Sequence, residues 1–317
     1  MTNKTRRGRL PESLYRHIWR TSRRHQFGLV LLTIAVFPLT MVPLELQRRI
    51  VNDAIEGEDF SLLVWLGIAY FSVLLLQGGL KLALRIYRGY VSEGTVRSLR
   101  RRAFQASGPG TGETAEESAK DRGSRVSMMV AEVEPVGSFV GESVSEPLLH
   151  AGTLVSIFGY MLWIQPLMAL AGMAFCLPQL YFVPRIQEAI NRRAKQRIEI
   201  LRNLSRQVAD YEDPHRSDTE RAAVERINQI YGLRMRIFLL KYTLKFLNNF
   251  LHHLGPLSAY LFGGWLVLEG RTDLGTVVAF ASGFERVSDP WRELITFYRS
   301  ASDARLKYRL VADAIGA

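Results

Sequence analysis

Four long stretches of the sequence contain no Asp, Glu, Lys or Arg, and they limit the fold more than any other feature. They are residues 27–44, 62–80, 147–183 and 246–268. A hydrocarbon core of about 30 Å is crossed by ~20 helical residues, so three stretches suit one membrane crossing each and the longest suits two. The longest stretch must turn once near its middle, where Pro166 suits the start of the next helix.

A further apolar segment begins at Leu274, but its second half is charged. The charged residues are Glu285, Arg286, Asp289, Arg292 and Glu293. Ionisable groups inside a membrane normally face protein or a water-filled cavity, so we expect the rest of the chain to supply a wall and a cavity. We therefore predict six spans, and we place Glu285, Arg286, Asp289 and Arg292 on a translocation pathway.

Two other features of this sixth span bear on that prediction. Pro290 removes a backbone hydrogen bond and should kink the helix. The alternative to a pathway is that the charges pair among themselves, Asp289 with Arg292 or Arg286 with Glu293, and have no role in transport.

Charge in the connecting segments predicts the orientation. Residues 1–26 contain eight Lys and Arg and one acid, whereas residues 45–61 contain five acids and two Arg. Excess positive charge stays in the cytoplasm, so both termini should be cytoplasmic. We expect a basic segment with an interfacial helix at 1–26, a six-span domain at 27–311 and a short tail at 312–317. The expected location is the bacterial inner (plasma) membrane, where the basic flanks explain the net charge of +11 without a nucleic-acid partner.

Four charged, turn-free stretches of similar length flank two breaks in the chain. Residues 81–105, 123–146, 184–208 and 219–245 form these stretches, several with apolar residues every three or four positions. This spacing indicates helices that reach ~35–40 Å beyond the membrane as two cytoplasmic hairpins.

No metal or nucleotide motif is found in the sequence. The segment SGPGTGET at residues 107–114 has Glu113 where a phosphate-binding loop requires lysine. His252 and His253 lie in the fifth span and, being adjacent, point in different directions on a helix. We predict either hydrogen bonds between helices or a place on the pathway for them, and no shared metal.

The order and spacing of these features resemble the transmembrane domain of ABC exporters from Phe27 onward. GRTDLGTVVAF at residues 270–280 is similar to the start of that family's sixth helix. Asp289-Pro290 and KYRLV at residues 307–311 are similar to its exit. The resemblance implies an all-α membrane protein of six transmembrane helices with long cytoplasmic helical extensions. It also implies a homodimer or heterodimer with exchanged helix pairs.

The resemblance further implies that both hairpin tips dock on nucleotide-binding domains. The implied coupling residues are Gly112, Glu113, Glu116, Lys120, Tyr211, Asp213, Pro214 and Asp218. No Walker lysine or LSGGQ-like signature occurs before Ala317. We therefore expect no enzyme activity and no cofactor in this chain alone, with ATP and Mg²⁺ bound by a separate ATPase subunit.

Three functions remain open at this stage. The first is the membrane-spanning subunit of an ATP-driven exporter, which forms half of a translocation pathway within the lipid bilayer. The second is a transporter-like membrane scaffold or regulator without transport. The third is an ion-coupled carrier that uses Glu285 and Asp289.

Overall fold

The structure, a computed structural model, describes residue 11 and residues 13–106, 132–209 and 216–316. Within these ranges the regular structure is entirely helical, as predicted. The helices are α1 (Leu14–Val36), α2 (Val42–Arg49), α3 (Phe60–Ala106), α4 (132–142), α5 (Ser145–Ile164), α6 (Pro166–Ala209), α7 (Arg216–Ser258), α8 (Gly264–Leu268) and α9 (Leu274–Gly316). A 3-10 turn at Pro38–Thr40 and π-helical turns at Ile50–Ile55 and Ala259–Gly263 join shorter helices into longer rods.

All six predicted spans lie in helical segments, but they differ in hydropathy. Among the described residues, three helical segments are long and apolar enough to cross a membrane: Leu14–Ile55, Phe60–Arg102 and Glu132–Ile164. The apolar helix Pro166–Phe175 is shorter. The predicted fifth span contains Asn and His residues and the sixth contains charges, which lowers the hydropathy of both.

The described parts of the predicted cytoplasmic hairpins are helical. The 47 residues of α3 would extend ~70 Å, more than twice the ~30 Å of a membrane core. Helices α6 and α7 are almost as long, with 44 and 43 residues. In α3, α6 and α7 the apolar span therefore continues into the charged stem without a loop, whereas a turn at residues 143–144 separates α4 from α5.

The first connection is shorter than the sequence predicts. Residues 45–61 were treated as the segment that connects the first two spans, but helical turns continue to Ile55. Glu45 Oε2 lies 3.0 Å from Arg48 Nε, and Glu45 Oε1 lies 2.7 Å from Arg49 Nε. Such i,i+3 and i,i+4 pairs favour helix, so only residues 56–59 connect to α3.

The predicted interfacial helix and first span form one helix with an internal break. Ser22 has non-helical dihedral angles, φ −127° and ψ 20°. Its hydroxyl donates to the carbonyl of Ile18 at 2.9 Å, a local bond that often bends helices. The break lies four residues before the predicted boundary at Gln26, whose side-chain amide donates to Val140 O at 2.8 Å.

Contacts divide the chain into two compact units. The first draws on residues 1–164, 273–279 and 286–317, and the second on residues 165–272 and 280–285. The core of the first unit is one apolar cluster from α1, α3, α4 and the C-terminal half of α9. It contains Leu14, Ile18, Leu29, Leu84, Val91, Val96, Leu99, Val133, Val136, Phe139, Val140, Ala301, Ala304, Tyr308 and Val311.

The N-terminal turns of α1 belong to this core and contact α9. The His17 ring lies 5.5 Å from the Tyr308 ring, and both side chains are buried. Tyr308 donates its hydroxyl to the Pro11 carbonyl at 2.6 Å. Burial raises the pKa of Tyr308 to about 12, so this hydroxyl keeps its proton. Burial, and then the positive charge of Arg102, lower the pKa of His17 to about 4.

The second unit contains α6 and α7, which pack along each other, together with α8 and residues 280–285 of α9. Phe284 lies over two glycines of this pair. A Cβ added to Gly172 would collide with the Phe284 ring, and one added to Gly255 would lie 3.0 Å from the Phe284 Cβ. The two glycines therefore make room for an aromatic ring between the helices.

Candidate functional site

A cavity of about 660 Å³ lies within the first unit, between α3, α5 and α9. Its lining is mixed, with apolar, basic and acidic side chains. The lining residues are Thr40, Leu74, Gln77, Lys81, Leu84, Arg85, Arg88, Glu146, Leu149, His150, Thr153, Ile157, Arg286, Asp289, Pro290, Arg292 and Glu293.

One face of α3 supplies the first wall. Its lining residues follow one another at helical spacing, so they share a face. The face is apolar at Leu74 and becomes basic at Lys81, Arg85 and Arg88. The change coincides with the predicted end of the second span at residue 80. The cavity therefore has an apolar end and a basic end along α3.

Arg88 and Glu146 form the buried ion pair of the cavity. The Arg88 side chain is only 8% exposed, and its Nη1 pairs with Glu146 Oε1. The other oxygen, Oε2, lies 2.7 Å from Nε2 of His150, one turn further along α5. Both oxygens of Glu146 are thus engaged. Nε and Nη2 of Arg88, in contrast, are buried without a hydrogen-bond partner among the described residues.

Close contact between α3 and α4 fixes the backbone at Arg88. A Cβ added to Gly141 would collide with the Arg88 carbonyl oxygen and with Ser92 Oγ. The Ser92 hydroxyl lies 3.1 Å from Gly137 O and 3.0 Å from Ser138 O, close enough to donate its one proton to either carbonyl. Only glycine permits this approach, and it holds the basic face of α3 in position against the start of α5.

The charged part of α9 supplies another wall. Arg286, Asp289, Pro290 and Arg292 all line the cavity. Arg292 Nη2 lies 2.9 Å from Asp289 Oδ1, which is one of the two self-pairings considered from the sequence. Both side chains are largely exposed, 67% and 78%, and such pairs contribute at most about 1 kcal/mol. Among the described residues, no ion pair joins Arg286 to Glu293.

A comparison with protein families gives a match for this arrangement. The family described as ABC transporter transmembrane region matches residues 27–209, more than half of the 317 residues. The chain belongs to the ABC transporter transmembrane region family. The resemblance drawn from the sequence is therefore confirmed, and the protein is an integral membrane component of an ABC transporter. A comparison with curated proteins found none that matches.

The matched region of this ABC transporter subunit includes two of the three main cavity walls. It covers the whole of α3 and α5, which carry Arg88, Glu146 and His150. The charged part of α9 lies outside the matched region.

Three of the predicted pathway residues of this ABC transporter subunit do not line the cavity. Glu285, His252 and His253 belong to the second unit. Glu285 is exposed, and the two histidine rings lie 5.2 Å apart with their planes at 49°. Within the described ranges, no group of three His, Cys, Asp or Glu side chains could hold a metal ion. A pathway role for these three residues stays a prediction.

The coupling residues and the helix kink also stay predictions for this ABC transporter subunit. Gly112, Glu113, Glu116, Lys120, Tyr211, Asp213 and Pro214 lie outside the described residues, as does the SGPGTGET segment. Asp218 lies in the first turn of α7. Helix α9 continues through Pro290, which is buried.

Sequence reasoning missed the basic face of α3 and the acid that faces it. Lys81, Arg85 and Arg88 had been treated only as part of a charged cytoplasmic stem. The sequence contained a signal for these three residues, because at helical spacing they continue the face of α3 that begins at Leu74 and Gln77. No such signal identified Glu146, since its pairing with Arg88 joins residues far apart in the sequence.

Proposed function

We propose that this chain forms half of the translocation pathway of an ATP-driven ABC exporter. Family membership supports a membrane subunit, and the cavity supports a path for a polar or charged substrate. The observation that carries the export assignment is the length of α3, α6 and α7. Each continues a predicted span far beyond the ~30 Å of a membrane core. Long cytoplasmic helices are what the resemblance to exporters implies.

A second transmembrane subunit, identical or different, supplies the other half of the pathway in this proposal. The division of the chain supports it, because α6 and α7 lie together in one of the two compact units. A helix pair with its own internal packing can be exchanged with a second subunit while both units keep their cores.

ATP and Mg²⁺ act through a nucleotide-binding domain that lies outside these 317 residues. We place its docking sites at the two hairpin tips, around residues 112–120 and 211–218. ATP has to favour one conformation of the transporter over another, because a ligand shifts an equilibrium only by its differential affinity. The long helices then carry the movement of the tips to the membrane, and access to the cavity alternates. The inner membrane, with both termini cytoplasmic, is the proposed location.

Purification from native membranes in mild detergent tests this function. The expected result is an ATPase subunit that copurifies with the chain, together with Mg²⁺-dependent ATP hydrolysis that is absent from the chain alone. The matched control is the same complex with the catalytic lysine of the ATPase changed to alanine. ATP hydrolysis by the chain alone would contradict the proposal. Failure to recover any ATPase would favour a membrane scaffold or regulator, and proton-driven transport without ATP would favour an ion-coupled carrier.

A further inference from the structure

We propose that the cavity between α3, α5 and α9 binds an amphipathic anion, whose phosphate or carboxylate group is held by Arg88. The inference names the substrate class of the site and rests on the proposed function, although anion binding itself requires no ATP. Three independent features of the described residues support it: unpaired donors, charge balance, and the shape of the lining.

The unpaired donors are Nε and Nη2 of Arg88. The side chain is more than nine-tenths buried and lines the cavity, yet both groups lack a hydrogen-bond partner among the described residues. A buried guanidinium donor without an acceptor is unfavourable, so the site favours a ligand that supplies one. Nε and one Nη of a guanidinium form a fork that matches two oxygens of a carboxylate or phosphate.

Glu146 does not accept a hydrogen bond from Nε or Nη2 of Arg88. It engages only Nη1 of Arg88, and its other oxygen faces His150. The ion pair therefore holds the guanidinium in place, and its Nε–Nη2 side has no acceptor among the described residues. An anion bound to that side would not compete with Glu146 for Nη1.

The charge balance of the lining also favours an anion. Five Lys and Arg side chains line the cavity against three Asp and Glu. Glu146 is committed to Arg88 and Asp289 to Arg292. Lys81, Arg85 and Arg286 make no ion pair within the part of the chain that the structure describes. A low-dielectric wall strengthens the field of these cations inside the cavity.

The shape of the lining favours an apolar body attached to that anion. Leu74, Leu84, Leu149 and Ile157 contribute to the same walls, and the volume of about 660 Å³ lies within the range of roughly 300–1,000 Å³ that is typical of pockets for drug-sized ligands. Inorganic phosphate would leave most of this volume unfilled. An amphipathic anion would place its charged head group at Arg88 and its apolar chain along the leucines, and so would contact both the basic and the apolar end of the cavity.

Equilibrium binding of radiolabelled dodecyl phosphate to the full chain tests the inference. The chain is placed in phosphatidylcholine nanodiscs, and partitioning into empty nanodiscs is subtracted. Saturable binding is expected, with inorganic phosphate at least about 100-fold weaker because it lacks the chain. Equal affinity for inorganic phosphate, or equal competition by dodecyltrimethylammonium, would overturn the proposal.

Arg88→Gln should raise the Kd about 10- to 100-fold, the range expected for losing charge-assisted hydrogen bonds. Arg88→Lys should recover only part of this loss, because an ammonium group has no fork. Arg101→Gln is the matched control, since it removes the same charge from an exposed site on α3 outside the cavity. A Kd unchanged in Arg88→Gln, or raised equally in Arg101→Gln, would show that the anion binds elsewhere.

Arg88→Gln leaves Oε1 of Glu146 without its guanidinium partner, and the protein can then fail to fold. Arg85→Gln avoids this difficulty, because Arg85 is exposed, lines the same cavity and makes no ion pair among the described residues. It should raise the Kd about 3- to 10-fold without changing the melting temperature. No change in Kd for a folded Arg85→Gln protein would contradict the assignment of this cavity.

Two sources could supply the anion, a membrane lipid or an amphiphile from the water. Nanodiscs with and without phosphatidylglycerol distinguish them, since a lipid anion should compete with dodecyl phosphate. The result is independent of the ATPase test. Binding without a copurifying ATPase would support this inference and weaken the proposed function, and an active ATPase complex without anion binding would do the reverse.

Discussion

His17 should make the attachment of the N-terminal turns of α1 dependent on pH. Its side chain is only 3% exposed and packs on Tyr308, and Nε2 has no partner among the described residues. Burial, and then Arg102, lower the pKa of His17 to about 4. The docked segment thus favours the neutral imidazole, whereas an undocked segment would protonate near the ordinary value of about 6.5.

The sign and size of the effect follow from this pKa difference. Because the docked pKa is depressed, docking is strongest above pH 6.5 and weakens as the pH falls from 6.5 towards 4. The full difference, about 2.5 pH units at 1.36 kcal/mol each, amounts to about 3.4 kcal/mol below pH 4. At pH 5 the loss is about 2 kcal/mol, or about 30-fold in the docking equilibrium. Burial of Leu14 and Ile18 in the docked segment does not depend on pH and continues to favour docking.

Hydrogen exchange of a peptide that covers residues 13–20, measured at pH 7.5 and pH 5, tests this reasoning. His17→Phe is the control, because phenylalanine keeps an aromatic ring against Tyr308 and cannot be protonated. Intrinsic exchange slows with falling pH almost equally in both proteins, so the ratio of their protection factors isolates the histidine. We expect wild-type protection to fall about 30-fold relative to His17→Phe. A ratio that changes by less than about threefold would refute the argument that His17 is buried neutral.

Two further predictions concern contacts that position the helices of the first unit. Gly141→Ala should destabilise the protein by about 1–3 kcal/mol, because the new methyl group collides with the Arg88 carbonyl. The loss should appear as a lower melting temperature in nanodiscs. Gly89→Ala is the control and should not lower the melting temperature, because its new methyl group meets no atom within 4 Å. Asn52→Ala should cost about 1–3 kcal/mol in the same assay, because it removes a 2.6 Å bond to Asp273 and a 2.7 Å bond from the backbone N–H of Gly275 in the first turn of α9. An unchanged melting temperature in either variant would contradict the corresponding contact.

The helical architecture could be predicted because one physical rule governs it. Uncharged runs of span length, such as residues 62–80, must be helical in a membrane to satisfy their backbone groups. The charged stems could be predicted from their apolar periodicity. Elements governed by local hydrogen bonds were less predictable. The break at Ser22 and the helical continuation from Glu45 depend on single side-chain bonds that no hydropathy pattern records.

The candidate site was predicted only in part, for a related reason. The charges of α9 are conspicuous because they interrupt an apolar segment, and Arg286, Asp289 and Arg292 do line the cavity. Lys81 and Arg88 are not conspicuous, since a basic residue just after a span is ordinary in sequence. Glu285, His252 and His253 were considered for the pathway because they are polar residues in predicted spans, but their presence in a span does not determine which way each side chain faces. The structure places these three residues in the second unit.

The position of Gly141 explains how a basic face can form part of a stable wall. Five cations in one cavity repel one another, so α3 would favour turning its basic face towards water unless its rotation is fixed. Ser92 and the glycine contact fix it: the hydroxyl lies between the Gly137 and Ser138 carbonyls, and no side chain at Gly141 separates the two backbones. Each residue along a helix turns it by 100°, so the same contact that orients Ser92 also determines where Arg88, one turn earlier, points. Packing between α3 and α4 thereby offsets the electrostatic cost of collecting positive charge in the cavity, and an incoming anion would lower that cost further.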